Sequence, residues 1–591
     1  MWAAAAPAGK QQHIFVREKM MQPYSFARTL PSLLAGVVLF ALALCPARPG
    51  TARAATLPNI GSSMQEVQSA RPTPGPQEEQ PDIVKGNGQA APGDQNGPTI
   101  FVREFKLEEA PYLAEAEIQK VLEPFRNRNL TMAQLQEATR AVTDLYRRKG
   151  YAVAQAYLPK QSVAEGVVII RVVVGTYAKP TSENQSLVRD WLIQKNLADN
   201  LQEGQPVRRA DLERAALTIA DMPGAAMPTI NIGPGQTPGT TEVFTQVPKG
   251  KRFGGYLMSD DMGSRYTGRF RFGAGVDVNS PFGIADKLSV FGLLTQNTGL
   301  YNVGANYSFP LTPNGLRFTV GYAHTAYELG ESFKDLDAHG TADVFQGSFS
   351  YPLIRSGKQN LYLSLDIAHK DMQDRYDAVD YVKRDYSTLA KLGLAHEMWS
   401  TLWGKPVYTR IAGSVTGGNL HFPSAEEREE DDSRDTDGWF WYGNVEFLTN
   451  IALTNKWSFA VSGSGQKAFG KNLDSSEQFI VTGLRGVKAY RETVSGDNGF
   501  LLNSELKYKL PSILKWEHAL GGFVDYGGWS YEKRPFPDPH LGDMADVGLG
   551  YYVNYGLFSG KVQLAQGLGD YPAGLKKESQ TIVCAAVMLS F

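Results

Sequence analysis

Residues 483–492, GLRGVKAYRE, hold three cations, Arg485, Lys488 and Arg491, beside two glycines. Guanidinium and ammonium groups at that density can grip carboxylates, phosphates or backbone carbonyls. The chain on both sides alternates apolar and polar residues, so the run interrupts a series of extended strands. A solvated loop is the ordinary fate of such a charge run. A tighter role needs an acceptor elsewhere, and GGFVDYGG (521–528) offers one. With Val524 and Tyr526 on one face of a strand, Phe523, Asp525 and Gly527 lie on the other. An inward carboxylate flanked by glycines leaves room for a loop to fold against it. Arg485 fits Asp525 as a bidentate, charge-assisted pair, and the glycines permit the tight turn and close backbone approach. The candidate site is therefore Leu484, Arg485 and Gly486 on the loop, with Phe523, Asp525 and Gly527 on the wall. Such a pair inside a pore fixes geometry more than it adds net stability.

Other chemistry is poorly supplied. GQKAFGK (465–471) approaches a phosphate-binding loop, but Asn472 stands where Ser or Thr must contact magnesium, and no helix follows. The 8 histidines are scattered, and His396-Glu397 stops short of an H-E-x-x-H zinc site. No G-x-S-x-G elbow occurs. EEREEDDSRDTD (426–437) reads as a solvated acidic loop rather than a calcium site, because its spacing is wrong for one. The expectation is no enzyme, no cofactor and no metal.

The elements that must position the loop belong to a chain of 591 residues, too long for one core. Its formal charge of −2 gives no basic field for nucleic acid. With 60 Gly, 27 Tyr and 28 Phe the composition suits a β-rich protein. Lys19 and Arg28 precede the apolar run LPSLLAGVVLFALAL (30–44), and Ala52-Arg53-Ala54 supplies a cleavage site, so residues 1–54 read as a secretory signal peptide. Its removal takes Cys45 and leaves Cys584 alone, which excludes a disulfide within the mature chain. No other stretch is long enough for a membrane helix.

Residues 55–98 read as an N-terminal segment and a Pro/Gly/Gln-rich linker, too polar over 71–98 to bury anything. Ser63 and Glu66 are spaced as a capping box for a short helix near 62–70. Residues 99–175 read β-α-α-β-β. The second helix starts at a Thr131/Gln134 capping box and carries the stripe Leu135, Ala138, Ala141, Val142, Leu145, Tyr146. Gly150 stops it, and a buried strand follows at VVIIRVVV (167–174). Residues 176–250 repeat the theme, with helical DLERAALTIADMPG and strands around GPGQTPGT. Sheet edges in such units can accept an added strand.

From 251 to 591 period-two alternation takes over. Phe270, Phe272, Ala274, Val276 and Val278 alternate with Arg269, Arg271, Gly273, Gly275 and Asp277; Tyr301–Phe309 and Leu316–Tyr322 follow the same rule. One face is apolar and aromatic, the other small, polar or charged, as lipid on one side and a water-filled lumen on the other require. Connections alternate between tight (SPFGIAD, TPNG, RSGKQ, LTNK) and long and charged (ELGESFKDLDAHGT, MQDRYDAVDYVKRD, FPSAEEREEDDSRDTD). About sixteen strands of ~9–11 residues fit the length. The last of them, TIVCAAVMLSF, ends on Phe591.

Several motifs resemble the two-partner secretion outer-membrane transporters of the haemolysin secretion/activation type. They are RKGYAVAQAYLPKQSVAEG in the first unit, DLERAALTIADMPG with GPGQTPGT in the second, DDMGSRYTGRFRFGAGVDVNSPFG at the barrel start, and LRG with GDNGFLLNSEL and FVDYG further on. The resemblance implies two periplasmic POTRA domains and a 16-stranded barrel in the outer membrane of a diderm bacterium. It implies a monomer in outer-membrane lipid. The POTRA domains would capture the N-terminal secretion domain of a large exoprotein, and the barrel would pass it out without ATP. In the family the loop arginine meets the F-x-D-x-G aspartate, which here means Arg485 and Asp525. One departure is Val487, where an aromatic usually follows R-G; Tyr490 is the nearest ring. Some members plug the barrel with an N-terminal helix, a role open to 62–70. The rival readings are a factor that inserts other barrels and a passive porin.

Overall fold

The computed structural model describes residues 58–71, 81–85, 98–163, 165–431, 434–533, 541–569 and 580–591. The expected signal peptide, with Cys45, lies outside the described residues. Sixteen antiparallel strands close a barrel. Its first strand, Phe253–Asp260, pairs with the sixteenth, Thr581–Ser590, from Tyr256↔Ser590 to Asp260↔Ala586. Phe591 extends the seam by exchanging two 3.0 Å backbone hydrogen bonds with Gly255. The alternating pattern has the expected sense. Phe270, Phe272, Val276, Tyr301, Val303, Val320 and Tyr322 are exposed on the outer face, where only lipid can cover them.

Strand length departs from the expected ~9–11 residues. The sixth to ninth strands are Ala338–Arg355, Gln359–Tyr376, Tyr381–Leu402 and Lys405–His421, with 17 to 22 residues each. At ~3.4 Å per residue the longest runs about 75 Å, well beyond a hydrocarbon core of about 30 Å even when tilted. The stretch MQDRYDAVDYVKRD is therefore no loop. Its ladder continues to Tyr376↔Tyr381 around one short turn. Polar alternation outside the membrane supports a strand as well as it supports a loop, so the pattern alone did not separate them.

Ahead of the barrel come α1 (Ile60–Ala70) and β1 (Asp82–Lys85). The first N-terminal unit then runs β2 (Thr99–Val102), β3 (Glu104–Glu108), α2 (Glu115–Leu122), β4 (Arg128–Thr131), α3 (Met132–Arg148), β5 (Ala154–Tyr157), β6 (Val167–Val174). The β2–β4 ribbon is additional to the expected β-α-α-β-β order. The Thr131/Gln134 capping box forms, and the α3 stripe is buried except for Ala141. Gly150 takes φ +98°, which a glycine allows freely.

The second unit runs β7 (Thr176–Tyr177), β8 (Thr181–Asn184), α4 (Asp190–Asn200), α5 (Arg209–Ala220), β9 (Thr229–Pro234), β10 (Thr240–Val247). Helix α4 was not legible in the sequence. The polar segment 71–98 does contribute to this fold: β1 adds to the edge of β9 as a parallel strand, Asp82↔Thr229 to Lys85↔Ile232. Strand addition uses backbone groups, so a segment too polar to fill a core can still join a sheet.

The second unit docks on the barrel end that carries the tight turns. Asp221 accepts two hydrogen bonds from Arg355 (2.8 and 2.6 Å), Asn196 donates to the Pro313 carbonyl (2.6 Å), and the Arg189 N–H donates to Gly283 (2.8 Å).

Candidate translocation pore and its inward loop

Between the eleventh strand (Trp457–Ala468) and the twelfth (Asn498–Lys509) the chain folds into the lumen. Val481, Val487, Ala489, Tyr490 and Val494 are buried there against Leu501, Phe523, Trp529, Met544 and Ala565 of the wall. This apolar seat explains why a basic run lies inside the barrel: its apolar residues pack on the wall and its cations find partners around it. Val487 fills its position without an aromatic ring, and Tyr490 is buried separately. Two glycines allow the contact. A Cβ on Gly486 would lie 2.2 Å from the Val481 carbonyl oxygen, and one on Gly527 would lie 2.5 Å from Val481 Cγ1.

The three cations have three destinations. Lys488 Nζ lies 2.6 Å from Asp525 Oδ2 and 4.7 Å from the centroid of the Phe523 ring. Arg491 donates to Asp261 Oδ2 (3.0 Å) at the end of the first strand and to the Val583 carbonyl (2.7 Å) on the last. It thus braces the closing seam, where Asp261 also accepts from the Ala585 N–H at 2.7 Å. Arg485 turns the other way and donates to the backbone carbonyl of Arg71, just past α1.

The expected Arg485–Asp525 pair is thus replaced by Lys488–Asp525. The wall residues do face the lumen: Asp525 is fully buried, Phe523 is 3 % exposed, and Val524 between them is 49 % exposed. The other Asp525 oxygen accepts from Asn503 Nδ2 (2.6 Å), which also reaches the Gly486 carbonyl at 3.3 Å. Leu484 is half-buried beside Met262, Ile582 and Cys584.

A second wall acid went unread. Asp546 on the fourteenth strand (Leu541–Tyr555) sits directly opposite Asp525 in the ladder and accepts from the Ala489 N–H at 2.6 Å. Two like charges opposed across strands repel, and the inserted loop supplies the cation and the amide that offset this. The alternation that placed Asp525 inward applies equally to Asp546 beside Val547 and Leu549, so the signal was present.

Helix α1 fills the lumen beside the loop. Asn59, not Ser63, caps it, in a reciprocal box with Ser62, and it is seated one turn earlier than the Ser63/Glu66 spacing suggested. Ile60, Met64 and Val67 recur at helical spacing and pack on Leu300, Tyr327, Ala342, Met372, Phe422 and Phe440. Its ends and flank are tied down. The Ile60 N–H donates to Asp374 (2.9 Å), which Tyr327 also holds (2.6 Å). Gln65 donates to the Gln478 carbonyl of the loop (2.7 Å), and Glu66 pairs with Arg271 at 3.4 Å. Arg271 in turn binds Asp260 at 2.8 Å. The near-phosphate-loop residue Asn472 and the acidic-run residue Glu427 have structural partners: Asn472 donates to Arg434 O, and Glu427 accepts from the backbone of Arg384 and Ser424.

A family model described as haemolysin secretion/activation protein ShlB/FhaC/HecB matches residues 239–552, more than half of the chain. The chain belongs to that family. A ShlB-type POTRA model matches residues 100–175. The Heme/hemopexin transporter protein HuxB of Haemophilus influenzae is 26% identical over 71% of this chain and 74% of its own. The outer membrane transporter CdiB of Escherichia coli O6:K15:H31 is 25% identical over 75% of this chain and 74% of its own. The solved structure of CdiB from Escherichia coli superposes with TM-score 0.67 at 21% identity, covering 85% of this chain and 93% of that one. The protein is thus an outer-membrane transporter of the two-partner secretion type that exports an exoprotein, with its POTRA domains in the periplasm. Family members are transporters.

Proposed function

We propose that the POTRA domains take up the N-terminal secretion domain of one dedicated exoprotein and that the lumen conducts it outward without ATP, past the inward loop and the displaced α1. The observation that carries this reading is the lumen itself. A loop and a helix occupy it, each packed on an apolar patch of the wall and tied by a few ion pairs and hydrogen bonds, whereas a passive porin keeps an open aqueous channel. The loop stays anchored by Lys488 to Asp525 and by Arg491 to the seam, and α1 closes the resting pore. Of the three loop-motif residues, Arg485 reaches the end of α1, Leu484 packs at the closing seam and Gly486 lies against Asn503 of the wall. Phe523, Asp525 and Gly527 form its seat. The sheet of the second POTRA supports capture by strand addition, because β9 already accepts one added strand from this chain.

The test compares culture supernatants and outer membranes by mass spectrometry with and without the gene. One large protein should vanish from the supernatant while other barrels stay constant, and that protein is the cargo. Depletion of many outer-membrane barrels would make the protein an assembly factor instead.

A further inference from the structure

The turn 280–286 leads from the second barrel strand (Arg271–Asn279) into the third (Lys287–Thr295), at the end where the second POTRA docks. A row of rings runs from it around the outer face. Phe282 to Tyr307 is 6.2 Å between centroids, Tyr307 to Phe309 5.7 Å, Phe309 to Phe318 5.8 Å, and Phe318 to Phe349 4.7 Å. Aromatic side chains gather where hydrocarbon meets headgroups, so this row marks the level of the periplasmic leaflet's headgroups. Phe282, at its end, is 65% exposed. A second exposed ring belongs to the docked unit. Trp191 of α4 is 55% exposed while Leu192, Ile193 and Leu197 carry the burial, and it lies two residues from Arg189, whose N–H binds Gly283 in this turn.

Cations collect at the same place. The run PKGKRF (248–253) enters the first barrel strand, and Lys249, Lys251 and Arg252 are exposed, as is Arg189. The run is fixed to the turn: Asn279 donates to the Arg252 carbonyl (2.8 Å) and to the Lys251 carbonyl (3.0 Å), and Arg252 donates to the Ser280 carbonyl (3.3 Å). The neighbouring acids are engaged. Asp190 accepts from Asn184 (2.7 Å), Asp277 pairs with Lys287 (2.8 Å), and buried Asp286 accepts from Tyr307 (2.9 Å).

We propose that this patch is a lipid-headgroup site. Trp191 and Phe282 enter the interface, while Arg189, Lys249, Lys251 and Arg252 bind the phosphates of anionic phospholipid in the periplasmic leaflet. The bound lipid holds the second POTRA against the membrane beside the pore entrance. The site is separate from the loop and from α1, and it rests on the outer-membrane placement rather than on the identity of the cargo.

The test uses the full chain in nanodiscs of phosphatidylcholine alone or mixed with phosphatidylglycerol, read by amide hydrogen exchange. Peptides covering 187–195, 248–253 and 280–286 should exchange severalfold more slowly with phosphatidylglycerol. Salt should erase the difference, since screening acts within about 8 Å at physiological ionic strength. The combined Lys249→Gln, Lys251→Gln and Arg252→Gln variant should lose it as well. Equal exchange in the two membranes overturns the proposal on the unmodified protein alone. Protection that survives the triple substitution also overturns it. Export assays play no part in the readout, so a wrong assignment of cargo would not alter either result.

Discussion

Lys488 and Arg485 differ only by three positions in one loop, yet their surroundings demand different consequences when either is removed. Lys488→Met leaves Asp525 and Asp546 facing each other without a cation, and breaking a buried pair in this way costs about 3–5 kcal/mol. The loop should leave its seat, and export should fall with the barrel still closed, read as secreted cargo and as heat-modifiable mobility of the barrel. Asp525→Asn should act in the same direction, and the Lys488→Met/Asp525→Asn double variant should cost less than the sum of the two. Arg485→Ala removes the hydrogen bond to the Arg71 carbonyl and should weaken the closed state by about 1–3 kcal/mol. It should raise ion conductance in planar bilayers more than it impairs export. Equal phenotypes for Lys488 and Arg485 would refute this division of labour. The wall half of the site was legible because the strand period is two and one exposed neighbour fixes the parity of all the others. The loop half was not. No period governs an irregular segment, and which of three nearby cations reaches a carboxylate depends on backbone turns at Gly483 and Gly486 that residue spacing does not encode.

At the scale of elements, two short segments from the polar N-terminal stretch matter more than their composition suggests. β1 holds the outer edge of the second POTRA sheet, so an incoming strand must displace it or bind elsewhere. Replacing both Ile83 and Val84 by proline removes the one ladder donor this pair gives β9, worth about 0.5–1.5 kcal/mol, whichever of the two carries it. If β1 shields the capture edge, the cargo's secretion domain should bind the full chain about fivefold tighter per kcal/mol released. Unchanged affinity would place capture on another surface. Helix α1 lies in the lumen, and at Gly61 a Cβ would meet Ser475 Oγ at 2.2 Å and the Ser476 N at 2.6 Å. Gly61→Leu should therefore lift the helix off the loop and raise conductance while the barrel assembles normally. The Ser63/Glu66 spacing pointed to a helix there, although the cap that forms is Asn59 with Ser62, one turn earlier. Sequence did not show β1, because strand addition draws on backbone groups that every residue carries, and it did not show α4, whose apolar positions Leu192, Ile193 and Leu197 form only a short stripe.

The barrel is a closed cylinder whose outer face is hydrophobic and whose inner face carries charge, with a second POTRA fixed to its tight-turn end by Arg355 and Asp221. This architecture was the most legible part of the sequence, since sixteen alternating segments repeat one signal and each repeat reinforces the last. What the repetition could not give was the height of individual strands, because alternation persists beyond the membrane. The central claim is that a polypeptide travels through the lumen. The most direct measurement places a photo-crosslinking amino acid at Glu446, whose side chain is 59% exposed and paired with Arg410, and in parallel at Leu392 and Val415, which are 55% and 52% exposed on the outer face. During active export the secreted protein should crosslink from Glu446 and from neither outer position. Crosslinks from Leu392 or Val415 with none from Glu446 would show that the cargo does not pass through the barrel.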